Sequence, residues 1–556
     1  MPRTQYQQDV YPLAAGQLGH IEGLTLSRQT DSDNKQPLIH YFGGLPYALP
    51  PIGPYRFRRP RPLPESYRYG TKANPGRFTG GTAYCPQPRR FIDLDTSLWD
   101  EDCLQLNIYI PAGRRAPING WPVFFYIHGG FLQWGTADEL PRAIAPLLSE
   151  TAFEAIIVMP AYRLNLFGFL ASKELEAEAK TNGETAGNMG FWDQRAALEW
   201  TAKNIGFFGG DASKVTVGGY SAGAHSAFHQ LAHELLFVPD DKAIIKRTIS
   251  WSNSPGVQPR TVPQHQKQFE ELLGSLDISL SLSAEEKLEK LRATSVQDLV
   301  EVQEKLKISE FRATSDDAFV SKQLMASINS GDFARRMKAR GIKFMNGECR
   351  DEHNLYQSWR TPSNSYDAVR TRLVGDYPET VVDKLMFHYC GKAKKLPPGV
   401  KDWPEIFGLI YADMQVHSLE RGLHRALSKG GLVYGKDVFR YRFEWRAKCV
   451  DSNFPPEWGV THATDMAIWF WGLDYGSGLS EEDQKIVSPF NEAFAAFVKG
   501  EDLRWDTSNV KEMKRLRSDG KTDIWIDNQW EEGLKVWDLV NGSDASGVLG
   551  WIRAKL

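Results

Sequence analysis

The chain predicts an α/β protein built on one large, mostly parallel twisted sheet with helices on its faces. Three observations point there. Short, unbroken apolar runs such as Val123–Ile127 and Ala155–Met159 have the length and pattern of strands buried on both sides. Between such runs, apolar residues recur at helical spacing, as Trp192, Ala196 and Trp200 do in the stretch from Gly190 to Ile205. The two patterns alternate along the chain, as they do where crossover helices connect parallel strands.

Taken in order, the N-terminal part is rich in Pro, Gly and aromatic residues, and Gly43–Gly53 reads as a turn-heavy segment. Leu104–Ile110 alternates apolar and polar residues and reads as a strand. Val123–Ile127, Ala155–Met159 and Val215–Val217 follow as strands, the last leading into Ser221. After that serine, Phe228, Leu231 and Leu235 lie at helical spacing. Arg247–Trp251 is the next expected strand. Ser283–Glu286 and Ser295–Asp298 resemble capping boxes, the second with Asp in the Glu/Gln place, and each opens an amphipathic helix. Ile342–Asn346 returns to strand, and Asp437–Trp445 is the last clear one. No low-complexity linker or internal repeat interrupts the series. Residues 1–556 are therefore expected to form one unit, with helical insertions at about 255–340 and 360–430.

Composition narrows the class of function. A formal net charge of −3 over 556 residues argues against a nucleic-acid binder, which would show a basic excess. No apolar run is long enough to span a membrane, and Met1–Gln8 has no apolar core of a secretory signal. The five cysteines are too few and too scattered for a disulfide framework. These features, with one glycosylation sequon at Asn541–Ser543, predict an intracellular, cytoplasmic protein. Ala554-Lys555-Leu556 is close to the S-K-L peroxisomal address, which makes the peroxisome the second expected location.

Gly219-Tyr220-Ser221-Ala222-Gly223 carries the chemistry. Strand, sharp turn and helix meet at Ser221, and the flanking glycines leave room for a turn that presents the hydroxyl. The pentapeptide alone is a weak signal. An alkyl hydroxyl also needs a histidine base, a carboxylate to orient that base, and donors for an oxyanion. His128-Gly129-Gly130 follows the Val123–Ile127 strand, so the backbone N–H groups of Gly129, Gly130 and Ala222 are candidate oxyanion donors. Asp351 and Glu352, just past the 342–346 strand, are both candidate acids, and spacing does not separate them. Twelve histidines compete for the base. His229, His417 and His424 sit in helical patterns, where a satisfied structural role is the better reading. His462 lies in a Pro/Gly loop after the last strand and completes the order Ser, carboxylate, His.

Several further motifs occur in one order along nearly the whole chain. They include Gly44-Leu45-Pro46-Tyr47-Ala48, Arg56-Phe57-Arg58-Arg59-Pro60, Glu101–Asn107, Tyr162-Arg163 and Asp193-Gln194-Arg195. Phe208-Gly209-Gly210-Asp211, the elbow, Asp351-Glu352 and Val460-Thr461-His462 complete the series. In this the chain resembles the type-B carboxylesterases, the group of the cholinesterases and many fungal esterases and lipases. The resemblance implies the α/β-hydrolase fold, with helical insertions over the active site. It implies Ser221, Glu352 and His462 as the catalytic triad, and Gly129, Gly130 and Ala222 as the oxyanion hole. It also implies a Cys85–Cys103 disulfide, and structural ion pairs of Arg56 with Glu101 and Arg163 with Asp193. The sequence departs from the family at Tyr220, where an acidic residue is common, and at His353, where glycine is common. No tryptophan between Cys85 and Cys103 matches the site for a quaternary ammonium, which points away from a choline ester.

The expected activity is serine-dependent hydrolysis of an uncharged, fairly apolar carboxylic ester or lactone, with a small-molecule ester as the only expected partner. No metal or organic cofactor is required by that chemistry. An acyltransferase or lactonising enzyme would use the same triad with another acceptor. A non-catalytic binding protein of the same fold is the remote alternative. Nothing in the sequence specifies an oligomeric state.

Overall fold

The computed structural model describes residues 6–29, 35–88 and 96–542. The Ala554-Lys555-Leu556 address lies outside the described residues. A thirteen-stranded sheet forms the frame. Its long strands are β1 (Tyr6–Ala14), β2 (His20–Gln29), β3 (Lys35–Pro46), β4 (Gln105–Pro111), β5 (Trp121–Ile127) and β6 (Ile156–Pro160). They continue as β7 (Gly210–Tyr220), β8 (Ile245–Trp251), β9 (Lys343–Cys349), β10 (Val438–Phe443), β11 (Glu512–Leu516) and β12 (Thr522–Ile526). The spatial order is β1-β2-β3-β4-β6-β5-β7-β8-β9-β10-β11-β12, with the short Gly76–Arg77 strand beside β2. From β6 to β11 every neighbouring pair is parallel, and the antiparallel pairs are confined to the two ends.

Within the parallel block, β5 and β6 are the strands whose sequences are unbroken apolar runs. Every residue of β5 and of β6 is buried, because helices cover both faces of the parallel block. Two sequence expectations need correcting at the margins. Gly43 and Gly44, read as turn, lie inside β3, where the register against β4 shifts between Phe42 and Leu45 and Gly44 adopts φ +78°. That shift is a bulge, and a glycine pair tolerates it. Beyond β10, taken as the last clear strand, β11 and β12 extend the sheet as a hairpin. Their mixed burial pattern hides them from an apolar-run criterion.

The helices that flank Ser221 follow their sequence signals. α1 (Met189–Asn204) and α2 (Ala222–Phe237) pack against the sheet around β7. In the first insertion, α3 (Ala284–Ala293) opens on a complete capping box from Ser283 and Glu286. α4 (Val296–Lys305) opens on Ser295, whose Oγ accepts the Asp298 N–H. There the Asp298 carboxylate accepts the Ser295 hydroxyl instead of completing the box. Cys85 and Cys103 are joined as a disulfide, the form an oxidising compartment favours. Among the described residues, no helix is long and apolar enough to cross a membrane.

Candidate active site

β7 ends at Tyr220, and α2 begins at Ala222, so Ser221 bears the whole reversal of the chain. It does so at φ 58° and ψ −125°, a conformation that non-glycine residues rarely adopt. Two glycines make the turn possible. A Cβ on Gly219 would lie 2.3 Å from the Gly223 carbonyl carbon, and one on Gly223 would lie 1.9 Å from the Ile127 oxygen. The Ser221 N–H donates to the Trp251 carbonyl at 2.9 Å, which ties the turn to β8.

His462 and Glu352 come to this serine from two other strand ends. Glu352 follows β9, and His462 sits in the loop beyond β10. His462 Nε2 lies 2.8 Å from Ser221 Oγ, and His462 Nδ1 lies 2.6 Å from Glu352 Oε2. The second Glu352 oxygen accepts the Cys349 N–H at 2.8 Å. All three residues are buried: Ser221 is 5% exposed, His462 1% and Glu352 0%. Asp351, the competing carboxylate, points elsewhere. It pairs with Arg350 at 2.8 Å and accepts the Val460 N–H at 2.9 Å.

The glycine pair sits against the serine. A Cβ on Gly129 would meet Ser221 Cβ at 3.1 Å and the Tyr220 oxygen at 2.8 Å, so the loop can approach this closely only without a side chain. Gly130 holds φ +105°. Ala222 is the first residue of α2, and a first-turn N–H has no acceptor within its own helix. The loop is braced from behind: His128 stacks on Tyr162 with ring centroids 4.4 Å apart, and the Tyr162 hydroxyl donates to the His128 carbonyl. Burial pushes His128 down to about 4, so it is neutral at pH 7 and serves as a spacer.

The other expected roles also meet definite partners. His417 bonds Glu348 at 2.7 Å, and His424 bonds Tyr434 and Asn346, so both are satisfied structural histidines. His229 departs from that expectation: it is buried in contact with Phe191, and its Nδ1 has no hydrogen-bond partner among the described residues. The Arg56 guanidinium holds Glu101 through Nε at 2.7 Å. Arg163 grips Asp193 with bonds of 2.8 and 2.7 Å.

Sequence reasoning passed over two neighbours, Tyr356 and Asp465, and left Tyr220 without a role. The Tyr356 hydroxyl lies 3.3 Å from His462 Nε2, on the nitrogen that faces Ser221. Tyr220 places its ring centroid 4.8 Å from that of His462, walling the imidazole. Asp465 is 1% exposed and accepts the Trp469 indole N–H. Burial, and then the nearby Glu352, push its carboxyl up to about 6. The spacing of His462 and Asp465 was a signal that could have found the last of these.

A cavity of about 100 Å³ opens beside Ser221 and Ala222, and residues from both insertions line it. Taken together, a strained serine at a strand–helix elbow, a histidine on its hydroxyl and a buried carboxylate behind the histidine define a serine hydrolase constellation on an α/β-hydrolase sheet. The comparisons with known proteins make the family explicit. The model of the carboxylesterase family matches residues 12–536. A carboxylic ester hydrolase of Gibberella moniliformis is 56% identical over 96% of this chain and 97% of its own length. The para-nitrobenzyl esterase of Bacillus subtilis is 27% identical over 90% of this chain and 95% of its own. Among solved structures, a PNB esterase superposes with a TM-score of 0.70 at 24% identity, covering 94% of this chain and 99% of that one. EstA of Aspergillus niger superposes with a TM-score of 0.71 at 20% identity, covering 95% and 98%. The chain belongs to the carboxylesterase family, a family of carboxylic ester hydrolases.

Proposed function

We propose that Ser221, His462 and Glu352 hydrolyse a carboxylic ester through a covalent acyl-enzyme. The observation that carries this reading is the unbroken path from Ser221 Oγ through His462 to Glu352, with contacts of 2.8 and 2.6 Å. His462 Nε2 takes the hydroxyl proton as Oγ attacks the ester carbonyl. The N–H groups of Gly129, Gly130 and Ala222 hold the oxyanion of the tetrahedral intermediate. Glu352 keeps the Nδ1–H tautomer and stabilises the imidazolium. The imidazolium then passes its proton to the departing alkoxide, and the alcohol leaves. Water, deprotonated by the same nitrogen, attacks the acyl-enzyme and releases the acid, restoring Ser221.

In this reading the chain works as one unit. The insertions at about 255–340 and 360–430 are the parts that wall the cavity, supplying Arg260 and Arg312 from the first and Asp376, Tyr377 and Gln415 from the second. Mixing the enzyme with excess 4-nitrophenyl butyrate should release a burst of nitrophenol stoichiometric with active sites, then a slower steady state. Ser221→Ala should lose both phases. Steady turnover in that variant would overturn the mechanism.

A further inference from the structure

The wall of the cavity beside Ser221 carries more positive charge than its own carboxylates neutralise. Arg312 pairs with Asp376 and, at 3.3 Å, with Glu310. Arg372 holds the other oxygen of Asp376, and Arg360 lies 2.7 Å from Glu310. Both carboxylate side chains are only 3% exposed, so each is fully committed to these guanidiniums. Arg260, which lines the same cavity, is a fourth guanidinium. Among the described residues, no carboxylate stands within 4.0 Å of it.

Arg260 is nonetheless held in place. Its Nη2 donates to the Val374 carbonyl and, at 3.0 Å, to that of Tyr377, which leaves Nε and Nη1 without a protein acceptor among the described residues. The histidines near it do not alter the balance. Burial pushes both His225 and His265 down to about 4, so neither adds charge at neutral pH. Of these groups Arg260, Arg312 and Asp376 line the cavity itself, two guanidiniums to one nearly buried carboxylate, while Glu310, Arg360 and Arg372 lie behind them along a separate surface depression. Unpaired charge in the cavity wall is costly, and an anion in the cavity would relieve the cost.

We propose that the ester accepted here carries a carboxylate, and that Arg260 binds this carboxylate while Ser221 attacks the ester carbonyl. The proposal rests on the hydrolytic reading above and names its substrate class. With Nη2 spent on the two carbonyls, Nε and Nη1 sit on different edges of the guanidinium, and either can give a carboxylate oxygen one charge-assisted hydrogen bond. The cavity, at about 100 Å³, fits a short chain, so the monoester of a small dicarboxylic acid is the simplest substrate of this kind. Ser221 would become acylated by the half-acid, the alcohol would leave with the proton from His462, and water would release the free diacid. Composition pointed to an apolar ester, because the placement of Arg260 is not visible in composition.

The test compares two 4-nitrophenyl esters of equal length, the glutaric acid monoester and the neutral pentanoate. The wild-type enzyme should favour the glutarate ester in kcat/KM by roughly 10- to 100-fold, the range of one hydrogen bond to a charged group. Arg260→Gln should collapse that ratio, Arg260→Lys should restore part of it, and added salt should weaken it. Free glutarate should inhibit pentanoate turnover more strongly than free pentanoate does, a readout that needs no variant. Equal wild-type rates on the two esters, or a preference that survives in Arg260→Gln, would overturn the anionic subsite. Wild-type enzyme that turned over neither ester would instead count against the hydrolytic reading.

Discussion

Glu352→Gln exchanges one oxygen for an NH2 at a site where both oxygens are already committed. Oε1 accepts the Cys349 N–H at 2.8 Å, and Oε2 faces His462 Nδ1 at 2.6 Å. The amide has two ways to fit. If its oxygen stays on the Cys349 N–H, its NH2 meets Nδ1, which must then accept. The ring proton moves to Nε2, and that nitrogen can no longer take the proton of Ser221. If the amide flips, the productive tautomer survives, but NH2 and the Cys349 N–H stand donor to donor in a site with 0% exposure. An unsatisfied buried donor costs about 1–3 kcal/mol, which makes the productive form roughly 10- to 100-fold rarer. Even that form lacks the negative charge that stabilises the imidazolium. The expected loss in kcat is therefore about 10³–10⁴. Asp351→Asn is the control, because that carboxylate serves Arg350 and Val460 and does not contact the imidazole. Both variants should be assayed on 4-nitrophenyl butyrate, with active sites titrated. A Glu352→Gln enzyme within about tenfold of wild type, or an Asp351→Asn enzyme that loses as much, would refute the assignment of the acid.

Two further outcomes follow from the same geometry. Gly129→Ala puts a methyl 2.8 Å from the Tyr220 oxygen and 3.1 Å from Ser221 Cβ, so the oxyanion loop must shift. Its kcat should fall by roughly 10²–10³, and a wild-type rate would refute the role of the loop. His229 is held well below its usual pKa by burial and then by His225. The unfolded chain takes a proton there at about pH 6.5 while the folded chain does not, so folding loses stability as pH falls below that value. His229→Gln removes this loss, and the stability of wild type relative to the variant should decline from about pH 7 to about pH 5 in urea titrations. A difference independent of pH would refute it.

How much of this was legible in the sequence depends on how local each constraint is. β5 and β6 could be read because their residues are apolar at every position and buried on both faces. β7 to β10 were read from shorter apolar and β-branched stretches, and carry polar residues such as Asn346, Glu348, Arg440 and Arg442 inside the sheet. β1 to β3 alternate or carry glycines, since an antiparallel margin has one face in water and needs no such run. The elbow was legible for the same reason as the central strands. A Cβ at Gly219 or Gly223 would overlap backbone, so the spacing of glycine, serine and glycine is dictated within a few residues. Placing His462 required a loop after a strand and the chain order serine, carboxylate, histidine. Choosing Glu352 over its neighbour required the family pattern, because the two carboxylates differ only in which way the turn after β9 points them.

The substrate subsite obeys the opposite rule. Arg260, Arg312 and Asp376 lie far apart in sequence, and each alone is an ordinary charged residue in an amphipathic region. What gives Arg260 a function is an imbalance among side chains from two insertions, with Arg312, Arg360 and Arg372 already consuming the carboxylates of Glu310 and Asp376. Arg312 also links that cluster to the chemistry, for its Nη1 donates to the Phe131 carbonyl, one residue past Gly130. Arg260 itself grips the Val374 and Tyr377 carbonyls that flank Asp376, so a carboxylate bound there would sit beside the ion-pair network that reaches Phe131. Recognition and transition-state stabilisation would share one support, which is how binding energy remote from the scissile bond can reach kcat as well as KM.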